Sequence, residues 1–235
     1  VINLDDKFLS QVLNKTNLKE FTYSLTDKNA TLHAENIYQN AAGISFDLCL
    51  KNEALNISLA VGGEIIVLNA LGAAAVGFGF GFTLAQLKKG LENFKAPSMR
   101  LESRFFNGAL FINDAYNANP SSMQASIKTV CASYPTKKIN LVLGDMFELG
   151  EDSLMYHKQI AEFINVCGIN AVYLIGTQMR RIKGLINTKV FFADDHAALV
   201  DLLRAAQFSE GDIVLFKGSR GMKLEKAWEQ IFSEN

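Results

Sequence analysis

The chain has 235 residues, of which 49% are hydrophobic and 20% charged, a balance that excludes disordered and fibrous classes. Lys plus Arg total 23 against 24 for Asp plus Glu, so a net charge of -1 gives no global pull toward nucleic acid or an anionic membrane. Any anion site must therefore be local. Cys49, Cys131 and Cys167 are widely spaced in largely apolar runs, which reads as buried thiols in a reducing, cytoplasmic setting.

The opening Val1-Ile2-Asn3-Leu4-Asp5-Asp6 is acidic, unlike a targeting sequence. From Phe21 to Val61 short alternating runs predict strands: Phe21 to Leu25, Ala30 to Tyr38, Ile44 to Leu50 and Leu55 to Val61. The Lys51-Asn52-Glu53 turn suggests a hairpin. The long apolar stretch Ile65 to Leu87 raises a membrane span, but Asn69, Thr83, Gln86 and its many Gly and Ala residues favour a buried helix over Val67 to Val76. That helix is expected to turn at Gly77-Phe78-Gly79-Phe80-Gly81 into a second one capped by Thr83 and running to Phe94. Lys95-Ala96-Pro97-Ser98 then reads as a linker.

After Leu101 the rhythm changes. Strands are expected at Ala109 to Asn113, Ile139 to Leu143, Ala171 to Ile175, Val190 to Phe192 and Ile213 to Phe216. Helices should follow from Ser121, Asp152, just after Ile175, Asp195 and Met222. This alternation predicts an α/β fold with a doubly wound, Rossmann-like parallel sheet. Ligands of such sheets gather beyond the carboxyl ends of the strands, where loops and helix N-termini converge.

Three polar clusters lie at such ends. The first, Asn113-Asp114-Ala115-Tyr116-Asn117-Ala118-Asn119-Pro120-Ser121-Ser122-Met123, offers a carboxylate and carboxamides that can accept and donate to a polar ligand; the same residues are also ordinary turn formers, with Ser121 a possible N-cap. The second is Gly144-Asp145-Met146-Phe147-Glu148-Leu149-Gly150, followed by His157. Its carboxylates could position an ammonium or a magnesium-bound water, or merely shape a turn, and His157 reads more naturally as a satisfied imidazole. The third, Lys217-Gly218-Ser219-Arg220-Gly221-Met222-Lys223, sets cations and a hydroxyl before a helix and suits a carboxylate or phosphate, although a solvated basic turn would look the same. It lacks the Gly-x-x-x-x-Gly-Lys-Ser/Thr spacing of a P-loop.

In order and separation these words, with Asn69-Ala70-Leu71 and Arg100 upstream, resemble the Mur ligase family in its D-alanyl-D-alanine-adding branch. The resemblance implies the later part of the central nucleotide-binding domain over residues 1–99 and the amino-substrate domain over 100–235. It further implies an ATP- and Mg2+-dependent carbon-nitrogen ligase of peptidoglycan precursor synthesis. Its small-molecule partners would be ATP, D-Ala-D-Ala and a UDP-N-acetylmuramoyl-tripeptide, with no nucleic acid and no membrane insertion. ATP would convert the tripeptide's terminal carboxylate to an acyl phosphate that the dipeptide amine attacks.

By that resemblance Asn69, Arg100 and Asp114 contact the nucleotide, while Asn117, Asn119, Lys217, Ser219 and Arg220 hold the dipeptide. Arg100, Asp114 and Lys217 would then be the residues nearest the chemistry, and no protein ligand to a metal is expected. The family's P-loop and carbamoylated lysine precede the first residue here, so activity is expected to require an N-terminal half. Ile65 stands where the family usually carries a histidine, and an alkane cannot replace an imidazole chemically. The alternatives are a folylpolyglutamate or cyanophycin type of ligase, or a non-catalytic piece of a split or degenerate one.

Overall fold

The computed structural model describes residues 1–12, 20–40, 42–51, 53–95 and 98–233. Ala96 and Pro97 of the expected linker and Asn52 of the expected hairpin turn lie outside these residues. The chain divides into two compact units, Val1–Lys95 and Ala96–Asn235.

In the first unit β1 (Ile2–Asn3), β2 (Thr22–Ser24), β3 (Leu32–Asn40), β4 (Gly43–Leu50) and β5 (Glu53–Leu59) form one sheet in that order. The pairs β1–β2 and β2–β3 are parallel, whereas β3–β4 and β4–β5 are antiparallel. Alternation sends Leu32, Ala34, Phe46, Leu48 and Ile57 to one face, where α1 (Glu64–Gly79) and α2 (Leu84–Glu92) cover them. The helix expected to stop at Val76 continues through Gly77. A glycine in a helix costs about 1 kcal/mol relative to alanine, but a Cβ on Gly77 would stand 2.6 Å from Leu87, so its absence lets α2 pack close. The turn falls instead at Gly81 (φ +88), and Thr83 caps α2 as expected, with Gln86 completing a reciprocal capping box. Among the described residues no helix is long and apolar enough to cross a membrane.

The second unit contains β6 (Glu102–Phe106), β7 (Ala109–Asn113), α3 (Pro120–Ser133), β8 (Lys138–Gly144), α4 (Ser153–Asn165), β9 (Ala171–Ile175), α5 (Thr177–Ile182), β10 (Lys189–Ala193), α6 (His196–Ala205), β11 (Asp212–Lys217) and α7 (Glu225–Phe232). The sheet order is β10-β9-β8-β11-β7-β6. All neighbours are parallel except β6–β7, an antiparallel hairpin at the edge. That strand was not expected from the sequence: its pattern is mostly exposed, so it carries no buried alternation to betray it. Residues alternate between two cores. Ile112, Leu141, Leu143 and Leu215 meet α3, α4 and α5 through Met123, Ile127, Ile160 and Met179. Phe111, Val142, Val214 and Phe216 meet α6 and α7 through Leu199, Leu203, Trp228 and Ile231. The final helix begins at Glu225 rather than Met222, because a short 3-10 turn at Arg220–Met222 and a left-handed Lys223 (φ 52) intervene.

Of the three thiols, Cys49 is buried, but Cys131 and Cys167 are only partly covered, correcting the expectation for those two. Both lie at the margin of the α3–α4 core, with Cys131 Sγ 3.9 Å from the Cys167 carbonyl oxygen.

Candidate functional site

β8, β11 and β7 are neighbours at the centre of the second sheet, so the three polar clusters emerge side by side on one rim. Register aligns Phe216 with Asn113 and Lys217 with Leu143, and the Asp114 amide donates to the Phe216 carbonyl at 2.9 Å.

Lys217 organises this rim. Its ammonium, 4% exposed as a residue, donates to the carbonyls of Asp114 (3.1 Å) and Asn117 (2.9 Å) and pairs with Asp114 Oδ2 at 2.7 Å. Three donors meet three acceptors, so the cation is saturated. Ser126 Oγ stands 2.5 Å from the same Asp114 Oδ2 and 2.9 Å from the Ser122 carbonyl; its single proton goes to the carboxylate, the stronger acceptor. Asp114 is thereby fixed through Oδ2, and Oδ1 has no partner among the described residues.

Ser219 ties the clusters together. Its amide donates to the Asp145 carbonyl (3.0 Å), and its hydroxyl accepts from the Phe147 amide (2.8 Å) and donates to the Ala118 carbonyl (3.2 Å). Asp145 is buried and accepts from the Gln178 and Met179 amides at the start of α5. Gly176 makes that contact possible: at φ +117, with a built Cβ only 2.5 Å from the Asp145 carboxylate, no other residue fits. His157 is likewise satisfied: fully buried, it accepts the Met146 amide on Nε2 (3.0 Å) and donates from Nδ1 to the Ser153 carbonyl (2.7 Å). Both residues serve the structure.

Asn119 caps α3, accepting from the Ser122 amide at 2.8 Å while Ser122 Oγ accepts from the Asn119 amide, with Pro120 at the first helical position. The cap is thus Asn119 rather than Ser121. Asn117 turns its Oδ1 to the Ala118 amide and is exposed. Arg100 is exposed and lies over the half-exposed Tyr116 ring, 4.4 Å from its centroid. Its neighbours Met99 (φ 61) and Leu101 (φ 57) both hold left-handed backbone, a strained arrangement of the kind that clusters at ligand clamps. Arg220, with a side chain 56% exposed, faces Glu225 at 3.5 Å and Met99 Sδ at 2.7 Å. The rim therefore presents accessible cations, Arg100 and Arg220 among them, around a neutralised Lys217–Asp114 pair.

Asn69 lies in the other unit, exposed on α1, and Ile65 is 47% exposed on the first turn of the same helix. The sequence does not single out Ser126 or Met99. Ser126 left a faint signal as a hydroxyl on the apolar face of α3, four residues after Ser122.

Comparison with known proteins agrees with this architecture. Residues 1–77 match the Mur ligase middle domain, and residues 99–220 match the Mur ligase glutamate ligase domain. The UDP-N-acetylmuramoyl-tripeptide--D-alanyl-D-alanine ligase of Buchnera aphidicola is 35% identical over 240 residues, covering 100% of this chain and 52% of that protein. The Bacillus subtilis enzyme of the same name is 40% identical over 171 residues, covering 70% of this chain and 37% of its own. The crystal structure of MurF ligase from Thermotoga maritima in complex with ADP superposes with a TM-score of 0.83 at 24% identity, covering 98% of this chain and 52% of that one, a likeness of fold. The chain spans about half the length of the curated relatives it matches. Two family profiles, each falling within one structural unit or nearly so, and a relative aligned over the whole chain place this protein in the Mur ligase family.

Proposed function

We propose that this chain supplies the later half of an ATP-dependent ligase that joins D-Ala-D-Ala to a UDP-N-acetylmuramoyl-tripeptide. The observation that carries the reading is the convergence of the Asp114, Asp145 and Lys217 loops on one rim, in a chain 35–40% identical to two ligases of that name.

The geometry favours a division of labour among the expected residues. Lys217, Ser219 and Asn119 already spend their donors and acceptors on the loops, so their part is to hold the rim in shape. Asp114 presents Oδ1 to a hydroxyl or amine of the nucleotide, and Arg100, stacked on Tyr116, meets its phosphates; Asn69 belongs to the nucleotide contacts of its own unit. Arg220 and Asn117 are the exposed groups suited to a dipeptide carboxylate and amide. Mg2+ does not fit the Asp114 rim, because the Lys217 ammonium 2.7 Å from Oδ2 repels a second cation there. ATP, when bound, supplies the phosphoryl group that activates the acceptor carboxylate; the residues here orient and neutralise charge.

The test is ATP-dependent ligation by this chain supplied with the upstream half of the family's architecture, offering D-Ala-D-Ala against glutamate. Preference for the dipeptide is expected. Preference for glutamate would assign the chain to a folylpolyglutamate type, and no ligation with either would favour a non-catalytic piece. Arg220→Ala is expected to raise the dipeptide KM more than it lowers kcat, whereas Asp114→Ala should raise the KM for ATP.

A further inference from the structure

The first unit carries a group of metal-binding side chains that the ligase reading does not use. His33 and Glu35 lie two apart on β3 and so share a face, and Cys49 on β4 is the register partner of His33. This face is opposite the one covered by α1 and α2, since the intervening Leu32, Ala34 and Leu48 enter that core. Donor atoms of the three residues all lie within 4.8 Å of one another.

The His33 imidazole lacks the partners that covered imidazoles normally have. Its side chain is only 12% exposed, its Nδ1 is buried with no hydrogen-bond partner among the described residues, and its Nε2 stands 3.5 Å from Glu35 Oε1. His157 in the second unit shows the contrast, with both ring nitrogens bonded. A buried nitrogen without a partner calls for an explanation such as an ion or a water. The surroundings favour a cation: Glu35 and Asp47 face each other directly across β3–β4, with Lys28 2.6 Å from Glu35 as a counter-charge. Just beyond Glu35 a register shift, with Asn36 at φ 50, turns the strand.

We propose that His33, Glu35 and Cys49 form a zinc-type divalent metal site bridging β3 and β4. Imidazole, carboxylate and thiolate are the donor set zinc takes, with water as a fourth ligand. A tetrahedral ion would hold these donors about 3.3–3.6 Å apart, a closure that side-chain rotation supplies from the present spacing. Binding forms N–Zn, O–Zn and S–Zn bonds, displaces Lys28 from Glu35, and releases the Cys49 thiol proton to solvent.

The test is titration of this chain, stripped of metal, with Co2+ and then with competing Zn2+. One ion per chain is expected, with a near-ultraviolet sulfur-to-cobalt charge-transfer band. Cys49→Ser should abolish the band and weaken Zn2+ binding more than the ~10–100-fold that loss of a supporting residue costs. Glu35→Gln should weaken it while leaving the far-ultraviolet circular dichroism unchanged. Lys28→Ala should tighten Zn2+ about two- to fivefold, the worth of an exposed competing pair. A band that survives Cys49→Ser, wild-type binding no tighter than that of Cys49→Ser, or no response to both Glu35→Gln and Lys28→Ala would overturn the proposal.

Discussion

The two units share helix-capping chemistry but use their sheets differently. In Ala96–Asn235 the central strands are buried on both faces, and polar side chains concentrate at one end, where Lys217, Ser219 and Asp145 cross-link three loops. In Val1–Lys95 helices cover one face of the β3–β5 strands, and the other carries His33, Glu35, Asp47 and Cys49 along its length. A sheet covered on both faces confines its chemistry to the strand ends, whereas a half-covered one can carry it on a face.

The largest expected effect probes the cross-linked end. Lys217→Met leaves the Asp114 carboxylate and two carbonyls without their cation, and breaking so covered a pair is expected to cost about 3–5 kcal/mol. Denaturant unfolding followed by the fluorescence of Trp228, the single tryptophan, reads this directly in the second unit. A loss below about 1 kcal/mol, the scale of a surface pair, would show that the rim is not held as described.

Gly176→Ala comes next. The backbone there (φ 117, ψ 161) is open essentially to glycine alone, and forcing a Cβ against Asp145 is expected to cost about 1–3 kcal/mol. Thermal melts should show it, and Gly81→Ala in the first unit, where a Cβ meets nothing within 4 Å, should cost less.

Matched cap deletions sharpen the comparison further. Thr83→Ala and Asn119→Ala remove equivalent capping boxes from α2 and α3, and each is expected to cost about 1 kcal/mol. Amide hydrogen exchange should show faster exchange at the N-terminus of the affected helix in each case. Slower turnover in a reconstituted ligase should accompany Asn119→Ala alone.

The smallest effect is a pH dependence whose acid limb lies in the first unit. In the first unit Asp5 is held below its ordinary 3.8, the cost of burial being outweighed by hydrogen bonds from Ser24, Leu25 and Thr26; the Asn36 and Asn56 carboxamides likewise lower Asp47. The folded unit therefore binds fewer protons than the unfolded chain in acid. This stability is present above the ordinary carboxylate value and lost as pH falls through the lower folded values. Burial raises Cys131, Cys167, Tyr134 and Tyr173 in the second unit, the last also through Asp212, and it raises Tyr23 and Cys49 in the first. Their stability is present below the ordinary 9.0 and 10.0 and lost as pH rises through the higher folded values. Exchange protection of β3–β5 should therefore fall first in acid, and Trp228 fluorescence should report loss of the second unit in alkali. Loss of the second unit before β3–β5 in acid would contradict the assignment.

Much of this was legible in the chain itself. Ala109–Asn113 and Ala171–Ile175 were read to the residue, because runs of apolar residues bounded by turn formers have few other places to go. Thr83 is legible as the cap of α2, and the Asp114, Asp145 and Lys217 loops are legible as lying at strand ends. By contrast, Glu102–Phe106 is not legible in the sequence because an edge strand with exposed side chains has no hydrophobic period, and Gly77 resembles a helix stop because its reason for being a glycine is Leu87.

Local pattern, then, determined the alternation of elements, the motifs of the Mur ligase family and the loops that carry polar groups, since burial periodicity and capping act within a few residues. Tertiary structure alone decided which of those groups were still unspent. Lys217 looks in sequence like a cation awaiting an anion, yet Asp114, Asn117 and Asp114 again take up its donors; His33 looks like any strand histidine until β4 brings Cys49 beside it. A hydrogen-bond donor is used up by whatever folding places within about 3 Å of it, and for Lys217 those neighbours lie 103 and 100 residues away in the chain.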